Sequence, residues 1–368
     1  MMNETLQQKL NAFDDTLEFA YAKTIPADWY TDPEIYRKEC DNVFQNNWLL
    51  VGHLHQLEEP SSYFTIEIAG KPILVVRKNS GELRAFANVC PHRGAQLTSN
   101  SCGKASRLKC PYHGWSFDLD GNLTGVPYFD DVKDFSREEH GLFSLTVETW
   151  ANFIFIHMGQ DRIPLTEYLS PMPERITEQV QEMHFVEVHE YSVECNWKVF
   201  VDNALEGYHM PIVHGNGGIG NLVKDFNIEY HKYLNIQHCL LTKKMGINDE
   251  RVSKSRTSEA QLYWLFPNVL INIFSNFMVT LCILPYGLDR TKVVISQYSK
   301  EHPSQLPPEA IADSVYVSER TLKEDGAICQ KVQLGLSSGF FNTARLSVKY
   351  EGNIYHFHKL LAQALRKN

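Results

Sequence analysis

The sequence contains no hydrophobic run long enough to cross a membrane and no excess of positive charge. Its longest largely apolar run, 277–285, is far shorter than the roughly 20 residues that a membrane-spanning helix needs. The formal net charge is −9 over 368 residues, and no basic stripe could neutralise phosphates. The first residues are polar and lack the apolar core of a signal peptide. We therefore expect a soluble, cytoplasmic protein that binds neither membranes nor nucleic acids.

Low-complexity tracts, internal repeats and a dinucleotide-binding fingerprint are also missing. No G-x-G-x-x-G turn joins a predicted strand to a predicted helix, so any NAD(P)H or flavin is expected on a separate protein. A chain of this length has room for two or more domains, each with its own core. The cysteines outside the two motifs described next are scattered singly, as free thiols of a reducing compartment are. These scattered cysteines are Cys40, Cys102, Cys195, Cys239, Cys282 and Cys329.

Two short cysteine–histidine motifs carry the strongest chemical signal. They are Cys90-Pro-His92-Arg-Gly and Cys110-Pro-Tyr-His113-Gly-Trp. Each supplies one thiolate and one imidazole, as needed by a [2Fe–2S] centre in which two cysteines hold one iron and two histidines hold the other. A structural zinc site also uses two cysteines and two histidines, but it more often groups like ligands, as C-x₂₋₄-C with H-x₃₋₅-H. The interleaved order favours the iron–sulfur cluster and predicts electron transfer.

These motifs resemble those of the Rieske family, including the proline after each cysteine. The resemblance implies that Cys90 and Cys110 bind the inner iron, while His92 and His113 bind the iron on the solvent side. Neutral imidazoles in place of two thiolates lower the negative charge of the cluster, which makes its reduction easier.

The pattern of apolar residues divides the chain into three parts. Residues 1–47 are predicted to be helical, with Asp32 capping a helix that continues to about Asn47. Short alternating segments separated by turns predict a small antiparallel β domain over 48–160, with both motifs on its loops. From 161 to 368 the pattern changes to mixed strands and helices, including a helix from about Asn196 and a long helical region at the C-terminus. The fold class expected is α+β.

A second candidate metal site lies in the C-terminal part. It reads Glu206-x-x-His209-x₄-His214, and the three-residue spacing would place Glu206 and His209 on the same face of a helix, with Pro211 interrupting it. Two histidines and one carboxylate from elsewhere form the facial triad of non-haem Fe(II) oxygenases. A histidine pair at this spacing has an ordinary structural interpretation when it stands alone. Beside a Rieske-like domain, the metal interpretation is favoured.

Over essentially its full length, the chain resembles the catalytic subunit of Rieske non-haem iron oxygenases. The resemblance implies a Rieske domain followed by a helix-grip catalytic domain, which is an antiparallel sheet with helices. It also implies mononuclear Fe(II) held by His209, His214 and an aspartate on a downstream helix. The segment 324–335 matches that helix, and Asp325 is preferred there to Glu324. Without the resemblance, both acids have the alternative interpretation of solvated residues at a helix start.

The resemblance also assigns a bridging carboxylate to Glu206. This residue would bind His209 and, across a subunit boundary, His113 of a neighbouring copy, with Asp202 one helical turn earlier as the alternative bridge. Ring-hydroxylating members mostly have Asp at this position. Glu is similar to the branch that oxidises choline, glycine betaine and carnitine, which the segments 195–203 and 356–359 also resemble.

The expected function is that of a terminal oxygenase. Electrons from a separate NAD(P)H-dependent reductase, or a ferredoxin, would pass through the cluster and Glu206 to the mononuclear iron, where O₂ is used to hydroxylate a C–H bond. Hydroxylation beside nitrogen would end in N-dealkylation. One alternative is an oxygenase that carries out monooxygenation or dioxygenation of an aromatic or alicyclic compound. The others are a Rieske electron carrier without mononuclear iron and a binding module stabilised by structural zinc. The family resemblance implies a homotrimer.

Two further groups of residues have both a functional and a structural interpretation. Aromatic residues in 263–277 could form a cage for an ammonium group by cation–π attraction, although sheet cores are also rich in aromatics. His356 and His358 could suggest another metal site, but no carboxylate joins them at ligand spacing, so structural roles are favoured.

Overall fold

The computed structural model describes residues 5–215, 223–241 and 259–367. They form two compact units. The small unit is Phe44–Glu167, and the large unit combines the residues up to Val43 with those from Tyr168 onward. The N-terminal helices, which the sequence pattern treats as a segment of their own, therefore share a compact unit with the C-terminal part of the chain.

The N-terminal helices are short. They are α1 Leu6–Asn11, α2 Asp28–Thr31 and α3 Pro33–Lys38. Asp32 caps α3 as predicted, because its Oδ1 accepts a hydrogen bond from the amide of Glu34 at 2.7 Å. The prediction that this helix continues to about Asn47 is wrong. The chain widens into a π-helical turn at Glu39–Val43, where Glu39 is fully buried against Lys198.

The small unit is an antiparallel β domain with one seven-stranded and one three-stranded sheet. The order of the larger sheet is β1-β10-β9-β4-β3-β2-β5, and that of the smaller is β6-β7-β8. The strands are β1 Leu49–His53, β2 Ser62–Ile68, β3 Lys71–Arg77, β4 Leu83–Ala87, β5 Cys102–Lys104, β6 Leu108–Lys109, β7 Ser116–Phe117, β8 Leu123–Gly125, β9 Ser144–Trp150 and β10 Phe153–His157. Between β7 and β8 the predicted hairpin is present, with Gly121 at φ +87°.

The large unit is built on a second antiparallel sheet of seven strands among the described residues. Its order is β11-β17-β16-β15-β14-β13-β12. The strands are β11 His184–Val193, β12 Val223–Tyr230, β13 Leu234–Leu241, β14 Glu259–Leu265, β15 Val269–Ile273, β16 Phe277–Gly287 and β17 Arg290–Ser299. Most of the described side chains of the central strands are buried, because both faces of those strands are covered.

Helices accompany this sheet. Helix α4, Leu165–Tyr168, spans the boundary of the two units, and the helices of the large unit are α5 Met172–Gln181, α6 Trp197–Leu205, α7 Met210–Val213, α8 Pro308–Ser337 and α9 Gly352–Arg366. Helix α6 begins where Asn196 accepts a hydrogen bond from the amide of Lys198, and it packs on β16, β17 and α8. An antiparallel β domain joined to a sheet with packed helices confirms the α+β fold class.

Short 3₁₀ segments complete the regular structure of the described ranges. They are Phe19–Tyr21, Leu54–Leu57, Glu138–His140 and Pro303–Gln305. Among the helices of the described residues, including the long helix α8, we find none with the length and apolar character needed to cross a bilayer.

Candidate metal centres

The two cysteine–histidine loops share one backbone pattern. In each, the cysteine amide donates to the carbonyl five residues on, and the cysteine carbonyl accepts from the amide of the glycine four residues on. These glycines, Gly94 and Gly114, have φ values of +73° and +76°. Only glycine adopts this left-handed conformation without a steric penalty. The pattern presents Cys90 and Cys110 from matching turns, although the histidine spacing differs by one residue.

The four predicted cluster ligands lie together in the small unit. Cys90 and Cys110 are buried in its hydrophobic core as free thiols, whereas His92 and His113 are partly exposed. The two imidazole rings have centroids 4.7 Å apart. Nδ1 of each ring is buried and has no hydrogen-bond partner within the described ranges. Buried, unpaired ring nitrogens above two buried thiols fit the donor set of a [2Fe–2S] cluster.

Trp115 supports the first of these histidines. Its indole stacks on His92 with ring centroids 4.6 Å apart and an interplanar angle of 5°. Phe129 packs edge-on against both rings, at 5.3 Å from Trp115 and 6.0 Å from His92. This aromatic support restricts the rotation of the imidazole, and the sequence pattern alone did not indicate it.

The second candidate site is formed in the large unit by His209, His214 and Asp325. Oδ1 of Asp325 lies 3.4 Å from Nε2 of His209 and 3.1 Å from Nε2 of His214. The ligand atoms of the three residues all lie within 4.8 Å of one another. The same Oδ1 is buried and makes no well-oriented hydrogen bond to a described residue. Two imidazoles and one carboxylate converging on one point are the donor set of a mononuclear non-haem iron.

A carboxylate orients each of these histidines from behind. Nδ1 of His209 lies 2.6 Å from Oε1 of Glu206, and Nδ1 of His214 lies 2.7 Å from Oε2 of Glu324. Because an ionised carboxylate only accepts hydrogen bonds, each Nδ1 carries the proton and each Nε2 is left free to bind a metal. Sequence reasoning considered Glu324 only as a substitute ligand. The geometry places it instead behind His214.

The expectation that Glu206 and His209 share one helical face is wrong. Helix α6 ends at Leu205, and Glu206 is extended, with φ −124° and ψ +157°. The carboxylate then turns back to accept hydrogen bonds from the amides of Tyr208 and His209. A new helix, α7, begins at Met210, because Pro211 fits the first turn of a helix but not its interior.

The charges at this site are strongly coupled. Burial alone would raise the pKa of Asp325, but the rings of His209 and His214 outweigh it and lower that pKa to about 2. Burial alone would lower the pKa of His209, but the carboxylates of Asp325 and Glu206 raise it to about 9. The carboxylate of Asp325 is therefore ionised at neutral pH, which is the form in which a carboxylate binds a metal.

Asp202 makes a different set of contacts. Its Oδ2 accepts a hydrogen bond from the hydroxyl of Tyr30 at 2.5 Å, and its Oδ1 lies 3.0 Å from Nε2 of His358. His358 is fully buried, and its Nδ1 accepts from the amide of Ile25 at 3.4 Å. This network ties α6 to the N-terminal segment and to α9, in line with the structural interpretation of His358.

His356 packs against aromatic rings of the large unit. It packs edge-on against Tyr230 at 5.3 Å and against Trp264 at 6.0 Å. In the described part of the large unit, the group of metal-binding side chains that converges on one point is that of His209, His214 and Asp325.

A cavity of about 180 Å³ adjoins the three converging residues. Helices α6 and α8 contribute to its lining, as do strands β13 to β17. Its aromatic lining residues are Phe200, Tyr263, Trp264 and Phe274. The described lining also contains the carboxylates of Glu206 and Asp325 and no lysine or arginine. The space is suited to a small molecule with a cationic or apolar group near the histidines.

A cysteine–histidine β domain followed by a two-histidine, one-carboxylate site defines a class of enzyme, a Rieske-type non-haem iron oxygenase. The Rieske [2Fe-2S] domain model matches residues 47–136, and the model of the ring hydroxylating alpha subunit (catalytic domain) matches residues 180–367. The chain belongs to this family of oxygenase alpha subunits. Its cofactors are a Rieske [2Fe–2S] cluster and a mononuclear iron, as expected from the sequence.

Individual relatives cover nearly the whole chain. Choline monooxygenase, chloroplastic, of Arabidopsis thaliana is 31% identical over 98% of this chain and 87% of that protein. The carnitine monooxygenase oxygenase subunit of Escherichia coli (strain K12) is 30% identical over 94% of each. Among solved structures, the quaternary ammonium Rieske monooxygenase CntA in complex with L-carnitine has a TM-score of 0.82 and 28% identity, covering 94% of this chain and 97% of that one.

Proposed function

We propose that this protein is a terminal oxygenase that hydroxylates a small quaternary ammonium or N-methyl compound, with N-dealkylation where the hydroxylated carbon is bonded to nitrogen. The observation that carries the proposal is the cavity beside His209, His214 and Asp325, which combines four aromatic residues with two carboxylates. Aromatic faces and nearby negative charge both stabilise an ammonium group. The relatives that cover nearly the whole chain are named choline and carnitine monooxygenases.

We assign the cluster to Cys90, Cys110, His92 and His113, and the mononuclear iron to His209, His214 and Asp325. When bound, the cluster delivers electrons and the mononuclear iron uses them with O₂ to oxidise a C–H bond. The protein supplies the correct histidine tautomers, since Glu206 and Glu324 hold the Nδ1 protons of His209 and His214. The small unit then serves as the Rieske domain and the large unit as the catalytic domain.

We also assign the bridge between centres to Glu206 rather than Asp202. Glu206 contacts His209 directly, whereas Asp202 is occupied by Tyr30 and His358. The side chain of Glu206 keeps 11% of its surface exposed, and in this assignment that part of the carboxylate is the one that a histidine of another copy contacts. In this assignment it accepts a hydrogen bond from His113 of the neighbouring protomer.

A head-to-tail homotrimer would bring the two centres of different copies together. Exposed apolar side chains occur near both: Tyr112 and Tyr128 in the small unit, at 58% and 98% exposure, and Tyr208 and Ile212 next to Glu206, at 53% and 80%. Exposed aromatic and aliphatic groups near a redox centre are typical of a surface that becomes covered on association. The oligomeric state would be measured by light scattering of the metal-loaded protein.

Electrons are proposed to come from a separate NAD(P)H-dependent reductase, with or without a ferredoxin. The letters of 215–220 do match G-x-G-x-x-G, but they follow the short helix α7 rather than a strand, and only Gly215 of them lies in the described ranges. We further propose a cytoplasmic location, since none of the eight cysteines, all of which lie in the described ranges, forms a disulfide.

The test is turnover by anaerobically purified protein with a bacterial-type or plant-type reductase and O₂. Three irons and two acid-labile sulfides per chain, a Rieske EPR signal after dithionite reduction, and oxidation of choline, glycine betaine, γ-butyrobetaine or carnitine would support the proposal. Oxidation of aromatic hydrocarbons but of no quaternary amine would favour the alternative substrate class. Two irons that Fe(II) addition does not increase would indicate an electron carrier, and zinc without sulfide would indicate a binding module.

A further inference from the structure

The sheet wall of the cavity is apolar with few exceptions. The cavity-lining aliphatic residues on its strands are Leu262, Leu270, Val279, Leu281 and Ile295. Asn272 stands in the middle of this wall on β15. Its partners in register are Leu262 on β14 and Val279 on β16, both of which also line the cavity. The amide of Asn272 therefore lies between two aliphatic side chains, on the face of the sheet that lines the cavity.

The amide oxygen of Asn272 is not satisfied by the described residues that surround it. Its Oδ1 is buried and has no hydrogen-bond partner in the described part of the chain. A buried polar atom without a partner destabilises a fold, and most such atoms in proteins are paired. Gln237, the other amide on this sheet wall, differs because its Nε2 donates to the carbonyl of Leu205. We therefore expect a bound substrate to supply the hydrogen-bond partner that the amide oxygen of Asn272 lacks.

The position of Asn272 relative to the aromatic wall indicates what that partner is. Trp264 pairs with Leu270 in register and Leu262 pairs with Asn272, so Trp264 and Asn272 are diagonal neighbours on one face of adjacent strands. Such neighbours are roughly 7–8 Å apart. An ammonium group against the indole of Trp264 would place an oxygen three to five bonds away within reach of the amide.

We propose that Asn272 is a specificity-determining residue that hydrogen-bonds the oxygen function of a quaternary ammonium substrate. This inference rests on the proposed function and adds to it the group that selects among such compounds. By rotating its amide, Asn272 can accept from a hydroxyl or donate to a carboxylate. Two matched pairs of compounds distinguish the hydroxyl from the carboxylate. Choline differs from n-propyltrimethylammonium by its hydroxyl, and γ-butyrobetaine differs from n-pentyltrimethylammonium by its carboxylate.

The experiment measures kcat/KM for both pairs with the metal-loaded enzyme, its reductase and the variant Asn272→Leu. Leucine suits this position because Leu262 and Val279 flank it. The expected result is a roughly 10- to 100-fold loss for the oxygen-bearing member of one pair, with less than about a threefold change for its alkyl analogue. If kcat/KM falls only for choline, the group that Asn272 binds is a hydroxyl. If it falls only for γ-butyrobetaine, that group is a carboxylate. Asn276→Leu, in the exposed turn after β15, is the control and should change neither ratio.

Equal changes for the oxygen-bearing and alkyl members of both pairs would overturn the role of Asn272 while leaving the proposed function intact. Wild-type enzyme that oxidises none of the four compounds would overturn the proposed function and this inference together. Iron and sulfide contents are measured on each variant. If Asn272→Leu does not bind its metals, Asn272→Ala is used in its place and must show the same selective loss.

Discussion

Nδ1 of His214 lies 2.7 Å from Oε2 of Glu324, while Nε2 of the same ring lies 3.1 Å from Oδ1 of Asp325. Two successive acidic residues of α8 therefore contact opposite sides of one imidazole. Glu324 also accepts a hydrogen bond from Nε of Arg320 at 3.0 Å, which limits its own movement. Adjacent carboxylates thus make separate contacts, Glu324 with Nδ1 of the ring and Asp325 with its Nε2.

Replacing Glu324 by glutamine should weaken binding of the mononuclear iron. The neutral amide would no longer fix the tautomer and orientation of His214, and loss of such a partner typically lowers metal affinity by roughly 10- to 100-fold. Iron retained against a chelator, compared with the visible spectrum of the cluster, checks this expectation. Glu309→Gln, in the exposed first turn of α8, should retain wild-type iron. Unchanged iron retention in Glu324→Gln would contradict the assignment.

Glu206→Gln should reduce turnover even when the variant has been reloaded with iron to full occupancy of both centres. Glutamine can still accept from the amides of Tyr208 and His209 with its amide oxygen, but it loses the charge that supports His209 and the bridge to a second copy. We expect a decrease of at least roughly 10- to 100-fold in kcat. Single-turnover oxidation of the reduced cluster by O₂ and substrate gives the rate directly.

Asp202→Asn distinguishes the two candidate bridges. Because Asp202 binds Tyr30 and His358, the variant should lose thermal stability while the metals that remain bound still support turnover. Normal turnover in Glu206→Gln together with inactive, fully stable Asp202→Asn would reverse the assignment.

Gly94→Ala should destabilise the small unit. The Cβ would meet no atom within 4 Å, so the cost comes from forcing alanine to φ +73° and should be about 1 kcal/mol. Gly335→Ala is the matched control, because Gly335 also has open space but lies in helix α8. There alanine should stabilise the protein by up to about 1 kcal/mol. Denaturant unfolding of both variants, with cluster absorbance as one signal, measures the two changes in the free energy of unfolding. Changes of the same sign in the two variants would contradict this account.

The stability of the small unit should fall as the pH is lowered from about 6.5 to about 4. Burial lowers the pKa of His53 to about 4, with the charge of His55 adding to the effect. Neutral His53 caps a 3₁₀ helix, since its Nδ1 accepts from the amide of His55 at 3.1 Å. In this range the unfolded chain binds a proton that the folded chain does not, so stability is lost at up to about 1.4 kcal/mol per pH unit.

His53→Asn keeps a capping oxygen and removes the titrating group. Thermal unfolding between pH 7 and pH 5 should therefore show a smaller decrease in the variant than in the wild type. Equal decreases would show that other groups carry the pH dependence.

Some features of the fold follow from local sequence. Asp32 with Pro33 begins α3, Asn196 begins α6, and the turn at Asp120-Gly-Asn joins β7 to β8, all as predicted. Each depends on residues within a few positions of one another. The end of α3 was not predictable in the same way, because Glu39 is drawn into a buried contact with Lys198 far along the chain.

The sequence by itself indicated the chemistry of both centres: interleaved Cys-x-His and Cys-x₂-His motifs predict a Rieske donor set, and beside them the histidine pair at 209 and 214 predicts a metal site completed by one distant carboxylate. Ligand type and short spacing are local properties, so they can be read without a fold. Only the tertiary structure decided which acid of the pair Glu324–Asp325 faces the histidines and which stands behind one of them. It also decided that Asp202 is held by Tyr30 and His358, and that Glu206 lies beyond the end of α6. These outcomes depend on contacts between residues far apart in the chain, where small changes in helix end and register move a carboxylate from one partner to another.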